Sequence, residues 1–151
     1  MLYLGRSYRV ELVDTQSGQI EFAQRFFVPR TLSNGAQEGF RQWYKQRAEE
    51  RLIPRAGEWA KRLGVEPRAV SIADVRYRWG SCTKAGAIRL NWRLIKAPTL
   101  VADYVIVHEL AHPLQGDHGE RFWSIVYSQI PKAEACRAWL RDQGGLLEQE
   151  L

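Results

Sequence analysis

The most constraining feature of the sequence is a cluster of histidines in one short segment. The chain of 151 residues contains three histidines, His108, His112 and His118, and all of them lie within residues 108–118. Residues four apart project from the same face of a helix, so His108 and His112 can present their imidazoles together. Two neutral imidazoles placed in this way can bind one metal ion at about 2.0–2.1 Å each. The segment therefore predicts a helix that carries a metal site.

An acidic residue, Glu109, directly follows the first histidine of this cluster. Its side chain points about 100° round the helix from His108, where it can reach a water on the metal without binding the metal itself. This arrangement is the H-E-x-x-H pattern of zinc hydrolases. The apolar residues 104–107 indicate that the helix is buried on most sides, and burying these polar groups without partners would be costly. A metal removes that cost and is favoured over a chance pentapeptide.

The third metal ligand is predicted to be His118. Residues 116–117 (Gly-Asp) permit a sharp reversal after the helix, so that His118 can approach the other two histidines. Its spacing from His112 matches the metzincin pattern H-E-x-x-H-x-x-G-x-x-H, but the glycine lies one position late and Met1 is the only methionine. A metzincin is therefore excluded. Glu120 is the alternative third ligand, as in peptidases that use glutamate.

Composition bounds the class of protein. The chain of 151 residues is 45% hydrophobic, which is enough for one globular domain over residues 1–151. It has no run of about 18 or more apolar residues, and residues 1–6 lack the apolar core of a signal peptide, so we expect a cytoplasmic protein without a membrane span. Cys82 and Cys136 are then expected to be free thiols. A net charge of +5 permits anionic partners, but a basic surface alone is the simpler explanation.

The N-terminal part of the sequence predicts a β-hairpin followed by a long helical segment. Within an N-terminal unit of residues 1–30, polar and apolar residues alternate over 6–28 on both sides of a turn, which is typical of a hairpin. Residues 36–63 have a helical pattern, and Pro54 is expected to break or bend that helix. This segment is the most basic in the chain. A solvated helix face explains its charges, and nucleic-acid binding is the alternative.

The remaining core, residues 69–143, carries the histidine motif. Two strands and two further helices are predicted around the motif helix, over residues 69–79, 87–95, 119–130 and 132–143. Thr99 is expected to be the N-cap of the motif helix, and Gly144 and Gly145 are expected to end the last helix. The predicted fold class is α+β, with a small, mostly antiparallel sheet packed on helices and the motif helix in the centre.

Several motifs in this core occur in the same order as in a known family. They are residues 78–82 (Arg-Trp-Gly-Ser-Cys), 90–91, 104–112 and 122–123, together with Gly86, Ile88, Leu94, Pro98 and His118. In this order they resemble the YgjP-like metallopeptidase domain, which is related more loosely to the SprT-like and WLM zinc peptidases. The resemblance covers about residues 70–140.

The resemblance implies a zincin-like fold and a metal-dependent hydrolase. By position, the three histidines are implied to bind one zinc ion, and Glu109 is implied to be the catalytic acid/base. Members of the family are usually classed as peptidases, which implies a peptide or an unfolded protein as substrate. A nucleotide pyrophosphatase activity has also been attached to the family.

Two positions depart from the family pattern. Pro113 stands where an apolar residue other than proline is usual, and it cannot donate a hydrogen bond to the Glu109 carbonyl. We expect the helix to end or bend there, with His112 biased away from helical geometry. Gly119 replaces a small hydroxyl residue, which removes a local cap.

Three functions compete for this set of residues. The first is a zinc metallopeptidase in which Glu109 is the general base for a metal-activated water and an extended peptide lies along an edge strand near 87–95. The second is a metal-dependent nucleotide pyrophosphohydrolase, although no glycine-rich phosphate loop supports it. The third is a DNA-associated protease of SprT type, anchored by the basic helix near 41–62. A purely structural zinc module would leave Glu109 without a role.

Supporting groups for catalysis can be named by chemistry alone. An oxyanion stabiliser is required, and Arg78, Asn91 and Tyr104 are the candidates. Asp117 or Glu120 are candidates for orienting a ligand imidazole. The sequence leaves the natural substrate and the oligomeric state open.

Overall fold

The computed structural model describes residues 1–149, which form an α+β structure of eight short strands and four α-helices. The strands are β1 (Leu2–Tyr3), β2 (Arg6–Ser7), β3 (Val10–Val13), β4 (Glu21–Phe22), β5 (Phe26–Pro29), β6 (Ala69–Ala73), β7 (Gly80–Cys82) and β8 (Ala87–Asn91). The helices are α1 (Ala36–Leu63), α2 (Thr99–Ala111), α3 (Glu120–Gln129) and α4 (Ala133–Glu148). None of the helices in this part of the chain is long and apolar enough to cross a bilayer.

The strands form three small sheets. β1 and β2 are an antiparallel pair, and the two other sheets have the orders β3-β5-β4 and β6-β8-β7. Three of the five strand pairs are antiparallel, and each three-stranded sheet also contains one parallel pair. The predicted α+β class is confirmed, and the sheets are mixed.

The predicted hairpin over residues 6–28 is wrong. β3 runs parallel to β5, and β4 is antiparallel to β5 on its other side. The reason is burial: Phe26 and Val28 of β5 are 0% and 1% exposed, so β5 takes the centre and both neighbours pair with it. The alternation of residues within β3 is that of a strand at the exposed edge of a sheet.

The long helix α1 is continuous through Pro54. It buries a row of aromatic side chains against the N-terminal strands, among them Phe40, Trp43 and Tyr44. The Tyr44 hydroxyl donates a hydrogen bond of 2.6 Å to the carbonyl of Leu2, which fixes β1 on the helix. The alternative of two separate helices is therefore wrong.

The motif helix α2 is the most buried helix of the described chain. Ten of its thirteen residues are buried, and it packs against α1, α3, α4 and β7. The helix begins at Thr99, but Pro98 occupies the N-cap position and no side chain caps the helix. The prediction of Thr99 as N-cap is wrong because the Pro98 carbonyl already accepts the N–H groups of Val101 and Ala102, at 2.9 and 3.2 Å.

The last helix extends past the glycine pair that was expected to end it. A Cβ atom on Gly144 would lie 3.0 Å from Cζ2 of Trp79, so this glycine permits close packing and does not form a turn. Leu147 and Glu148 in the next turn are buried, and they continue the inward face of α4. Tertiary packing thus outweighs the helix-breaking tendency of two glycines.

The structure also shortens both predicted strands of the core. β6 ends at Ala73, and residues 74–79 form a loop that leads into β7. β8 ends at Asn91, and Trp92–Lys96 form a buried 3₁₀ helix.

A buried ion pair joins α1 to α2. The Asp103 side chain is 6% exposed and accepts both arms of the Arg55 guanidinium, the bond from Nη2 being 2.6 Å. Trp59 Nε1 donates a further hydrogen bond of 3.1 Å to the same carboxylate. All three groups would lose bonding partners if the helices separated.

We predict that Asp103→Ala lowers the free energy of unfolding by about 3 kcal/mol. The value lies at the low end for a buried pair because the Arg55 side chain is 39% exposed and can turn to water. Asp142→Ala is the matched control, since Asp142 pairs with Arg141 on the surface, and its cost should stay within about 0.5 kcal/mol. Urea unfolding of both variants measures the difference, and equal losses would contradict a structural role for the pair.

Candidate metal centre

The three histidines converge at the C-terminal end of α2. His108 lies in the last turn of the helix, His112 directly follows its final residue, and His118 comes from the loop before α3. Each offers one ring nitrogen, and these three atoms lie within 4.8 Å of one another. The Nε2 atoms of His108 and His118 are 3.2 Å apart. Glu120, the alternative third ligand, does not belong to this group among residues 1–149.

The geometry and protonation of the cluster fit a divalent metal ion. Two ligand atoms of a tetrahedral zinc site are about 3.3 Å apart, because each lies at about 2.0–2.1 Å from the ion. The measured separation of the two Nε2 atoms, 3.2 Å, is close to that value. Burial, with added repulsion from His112 and His118, lowers the pKa of His108 to about 4. Burial also lowers the pKa of His112. Neutral imidazoles are the form that binds metal.

One aromatic ring, that of Phe122, contacts all three imidazoles. Phe122 is fully buried at the start of α3, and its ring centroid lies 5.0, 4.8 and 4.8 Å from those of His108, His112 and His118. Trp123 lies next to it, 5.8 Å from His108. Packing by α3 therefore holds the imidazoles in place from one side.

Pro113 ends α2 without displacing His112. The backbone of His112 keeps helical values, φ −59° and ψ −40°. Pro113 has no N–H to donate to the Glu109 carbonyl, and this carbonyl accepts the His112 N–H at 3.3 Å instead. The prediction that the helix ends there is confirmed, and the prediction that His112 leaves helical geometry is wrong.

The imidazoles have few polar supports. The backbone of Gly116 acts against burial and raises the pKa of the His112 ring, an influence that the sequence did not indicate. Asp117 accepts a hydrogen bond of 2.8 Å from Gln115. Nδ1 of His108 is buried and has no hydrogen-bond partner within residues 1–149. Neither Asp117 nor Glu120 therefore orients the His108 ring.

Glu109 is buried beneath the strand β7. Its side chain is enclosed so tightly that a Cβ atom on Gly80 would lie 2.8 Å from its Cγ and 3.0 Å from its Oε1. Burial raises the pKa of Glu109 to about 7, although the charge of Arg78 acts in the opposite direction. A carboxyl group with this pKa can both accept and release a proton near neutral pH. The sequence contained Gly80 in its Arg-Trp-Gly-Ser-Cys segment, but only the contact with Glu109 explains why a glycine stands there.

The histidines and Glu109 line an open cleft of about 800 Å³. The opposite wall is formed by β7 and the turn after it, with Arg78 and Lys84 contributing positive charge. β7 is an edge strand, since the sheet order is β6-β8-β7. The prediction of an edge strand near residues 87–95 is wrong, because β8 pairs on both sides.

The free edge of β7 presents backbone groups of known orientation. Two hydrogen bonds of 2.9 Å fix the register at the ends of this strand, from Asn91 to Trp79 and from Thr83 to Ala87. Bonded and non-bonded residues alternate along an antiparallel pair, so the N–H and C=O groups of Gly80 and Cys82 point away from β8. A strand-like ligand could pair with these groups.

The Cα of Gly80 faces Glu109 on one side of β7. The side chain of Cys82 lies on the same side, because residues two apart share one face of a strand. Burial, and then the charge of Glu109, raises the pKa of the Cys82 thiol, which disfavours a thiolate. Cys136 is buried on α4, and both cysteines are free, as predicted.

The three candidates for oxyanion stabilisation differ in position. Arg78 lines the cleft. The Asn91 amide donates to the carbonyls of Val75 and Arg78, at 2.5 and 2.9 Å, and so holds the loop before β7. Tyr104 is buried with its ring 5.9 Å from that of His108, and burial raises its pKa to about 12. Arg78 is therefore the candidate with direct access to a ligand.

The sequence profile of the YgjP-like metallopeptidase domain matches residues 1–143. The chain therefore belongs to the family of YgjP-like metallopeptidase domains. No curated protein is significantly similar to it in sequence.

Two solved structures share the fold. The metallopeptidase zymogen abylysin of Pyrococcus abyssi is 22% identical with a TM-score of 0.50, over 63% of this chain and 94% of that one. The metallopeptidase zymogen jannalysin of Methanocaldococcus jannaschii is 23% identical with a TM-score of 0.52, over 63% of this chain and 96% of that one. At these identities the likeness concerns the fold alone.

We predict that His118→Ala loses bound zinc, because only two ligands remain, whereas Glu120→Ala keeps about one zinc ion per chain. Metal content after dialysis, measured by mass spectrometry, distinguishes the two variants. Loss of zinc from Glu120→Ala together with full occupancy in His118→Ala would identify the glutamate as the ligand.

Proposed function

We propose that the protein is a zinc-dependent metallopeptidase with one metal ion. His108, His112 and His118 would hold the ion, and Glu109 would be the general base. The observation that carries the proposal is the convergence of three ring nitrogens within 4.8 Å, in a cleft that a buried carboxylate and an open strand edge also line. Membership of a metallopeptidase family supports the same conclusion.

A bound zinc ion would supply Lewis acidity, since zinc lowers the pKa of a bound water to near 7 and polarises a carbonyl group. The side chains of the protein would do the rest. Glu109 would accept the proton of the attacking water on its carboxylate and later release it to the leaving amine nitrogen. Its burial, which favours the protonated form, makes the first transfer easier near neutral pH. Arg78 would face the negative charge that develops on the carbonyl oxygen.

The peptide substrate would bind as an added strand on β7. The outward backbone groups of Gly80 and Cys82 provide the hydrogen bonds for such pairing, and these bonds do not depend on substrate sequence. Because Gly80 lies directly against Glu109, a peptide paired there would pass close to the general base. An unfolded protein or a flexible peptide satisfies this geometry more readily than a folded one.

A DNA-associated protease of SprT type, anchored to DNA by α1, has less support than the zinc metallopeptidase. Most of the basic side chains of α1 contact acidic or aromatic residues of the same chain. These contacts are Arg41 and Lys45 with Asp74, Arg47 with Glu50, Arg55 with Asp103, Arg51 with Tyr3 and Arg62 with Trp59. Most of the positive charges of α1 therefore contact groups of the same chain, which leaves fewer of them to bind DNA.

Nucleotide pyrophosphohydrolysis remains the second candidate, for one specific reason. Arg78 and Lys84 bring two positive charges to the cleft that contains the histidines, and a polyphosphate could bind them.

A cytoplasmic location and the nature of the physiological substrate remain predictions.

We predict that Glu109→Gln keeps its zinc but loses hydrolysis by about 100-fold or more, because the amide cannot accept the proton. Glu66→Gln is the matched control, since it makes the same chemical change at an exposed position on the rim of the same cleft. Zinc content and cleavage of an unfolded protein are measured for both. Undiminished cleavage by Glu109→Gln would exclude it as the general base.

A substrate panel separates the candidate functions. Zinc-loaded protein is incubated with unfolded protein, with nucleoside triphosphates, and with unfolded protein plus single-stranded DNA. We expect peptide cleavage that does not require DNA. Release of pyrophosphate without peptide cleavage would replace the first candidate with the second, and cleavage only with DNA would favour a SprT-type protease.

A further inference from the structure

We propose that the C-terminal end of α4 positions the edge strand β7 for peptide binding, with Gly144 and Glu148 as the positioning residues. The inference rests on the proposed function, because β7 is where a peptide would pair. Both residues lie beyond residue 143, where the family match ends.

The first contact is a hydrogen bond from the loop before β7 to the end of α4. Glu148 is 8% exposed, and Oε1 of its carboxylate accepts the backbone N–H of Tyr77 at 2.7 Å. Its other oxygen lies 3.3 Å from Nε of Arg93 and forms an ion pair with it, but no hydrogen bond.

Tyr77 shows that this contact holds the loop in a demanding conformation. Its φ is +58°, in the left-handed region that aromatic residues seldom adopt. The residue is 77% exposed, so packing of its ring does not impose this backbone. The bond to Glu148 acts together with the two bonds that the Asn91 amide donates to the carbonyls of Val75 and Arg78, and it is the one that acts on Tyr77 itself. Without it, the backbone at Tyr77 should relax toward an ordinary conformation.

The second contact is between Gly144 and Trp79, the residue that directly precedes β7. A Cβ atom on Gly144 would lie 3.0 Å from the Trp79 ring, so the helix backbone and the indole are already at close packing distance. The Trp79 carbonyl accepts a hydrogen bond from Asn91. The entry to β7 is thus held between the end of β8 and the face of α4.

The site has little tolerance for movement of this strand. Gly80, the first residue of β7, lies so close to Glu109 that no side chain fits between them. A small shift of the strand would change the distance from its outward backbone groups to the catalytic centre. The loop itself contributes little to the core, since Val75 and Tyr77 are exposed. Loss of the α4 contacts should therefore loosen the start of β7 without unfolding the protein, since the strand keeps its pairing with β8.

The experiment compares Gly144→Val with its neighbour Gly145→Val in the zinc-loaded protein. Both variants make the same change inside α4, but a Cβ on Gly145 meets no atom within 4 Å. Glu148→Ala is a second test that reaches the loop through a different contact. Zinc content should be unchanged in all three variants.

The first measurement does not depend on activity. Cys82, at the end of β7, is half-buried, whereas Cys136 is buried in the core, so the two thiols report strand release and general unfolding separately. We expect Gly144→Val and Glu148→Ala to speed alkylation of Cys82 severalfold, with Cys136 unchanged. Gly145→Val should label like the wild type.

The second measurement uses peptide length. A peptide long enough to pair with both Gly80 and Cys82 should show a KM raised about tenfold in the two test variants, because a loss of about 1.4 kcal/mol in binding has that effect. A short amide that spans only the cleaved bond should keep its KM, and any fall in kcat should affect both substrates alike, because the released loop also carries Arg78. A general loss of stability would not separate the two substrates.

Three outcomes would overturn the inference: unchanged labelling of Cys82, equal acceleration at Cys136, or released Cys82 with an unchanged KM for the long peptide. Failure of the proposed function appears differently. If the wild type cleaves no peptide of any length, that function fails, and the Cys82 labelling still decides whether α4 positions β7.

Discussion

The structure depends on enclosing one helix, α2, that carries polar groups in apolar surroundings. Each of these groups has a neighbour from a different part of the chain. The Asp103 carboxylate is bonded by Arg55 of α1, the Glu109 carboxyl is covered by β7, and the imidazole of His108 packs on α3. Because an unpartnered polar group in this environment is costly, the bonds of Arg55 and Trp59 to Asp103 fix where α1 lies. Nδ1 of His108 has no hydrogen-bond partner in the described chain.

The candidate centre follows from this enclosure. Burial lowers the pKa of His108 and of His112, which favours the neutral imidazoles that bind metal, and it raises the pKa of Glu109 to about 7, which strengthens this carboxylate as a base. The same enclosure leaves one side open, where the edge of a sheet meets the end of the helix. The set of donors thus lies beside an unpaired strand edge, the kind of surface to which extended peptides add in other proteins.

Local patterns predicted the approach of the three histidines to one another, and they predicted the sheets poorly. Helical periodicity is a property of neighbouring residues, so the motif predicted a helix that presents His108 and His112 together, and the turn after it predicted the approach of His118. Sheet order is not local. The parallel pairs β3–β5 and β6–β8 depend on which strand is buried, and alternation within one strand cannot reveal this. Gly144 was misread for the same reason, because its role is set by Trp79, far away in sequence.

The ring of Phe122 has a consequence for inhibitor design. It closes the centre on the side of α3 and touches all three imidazoles, so a small chelating molecule has to approach from the mouth bounded by β7. Discrimination between such compounds would then come from the residues at that mouth, where a free thiol and two cations stand within one short stretch of chain. A compound that joins a metal-binding head to an acidic group would contact the two cations, Arg78 and Lys84.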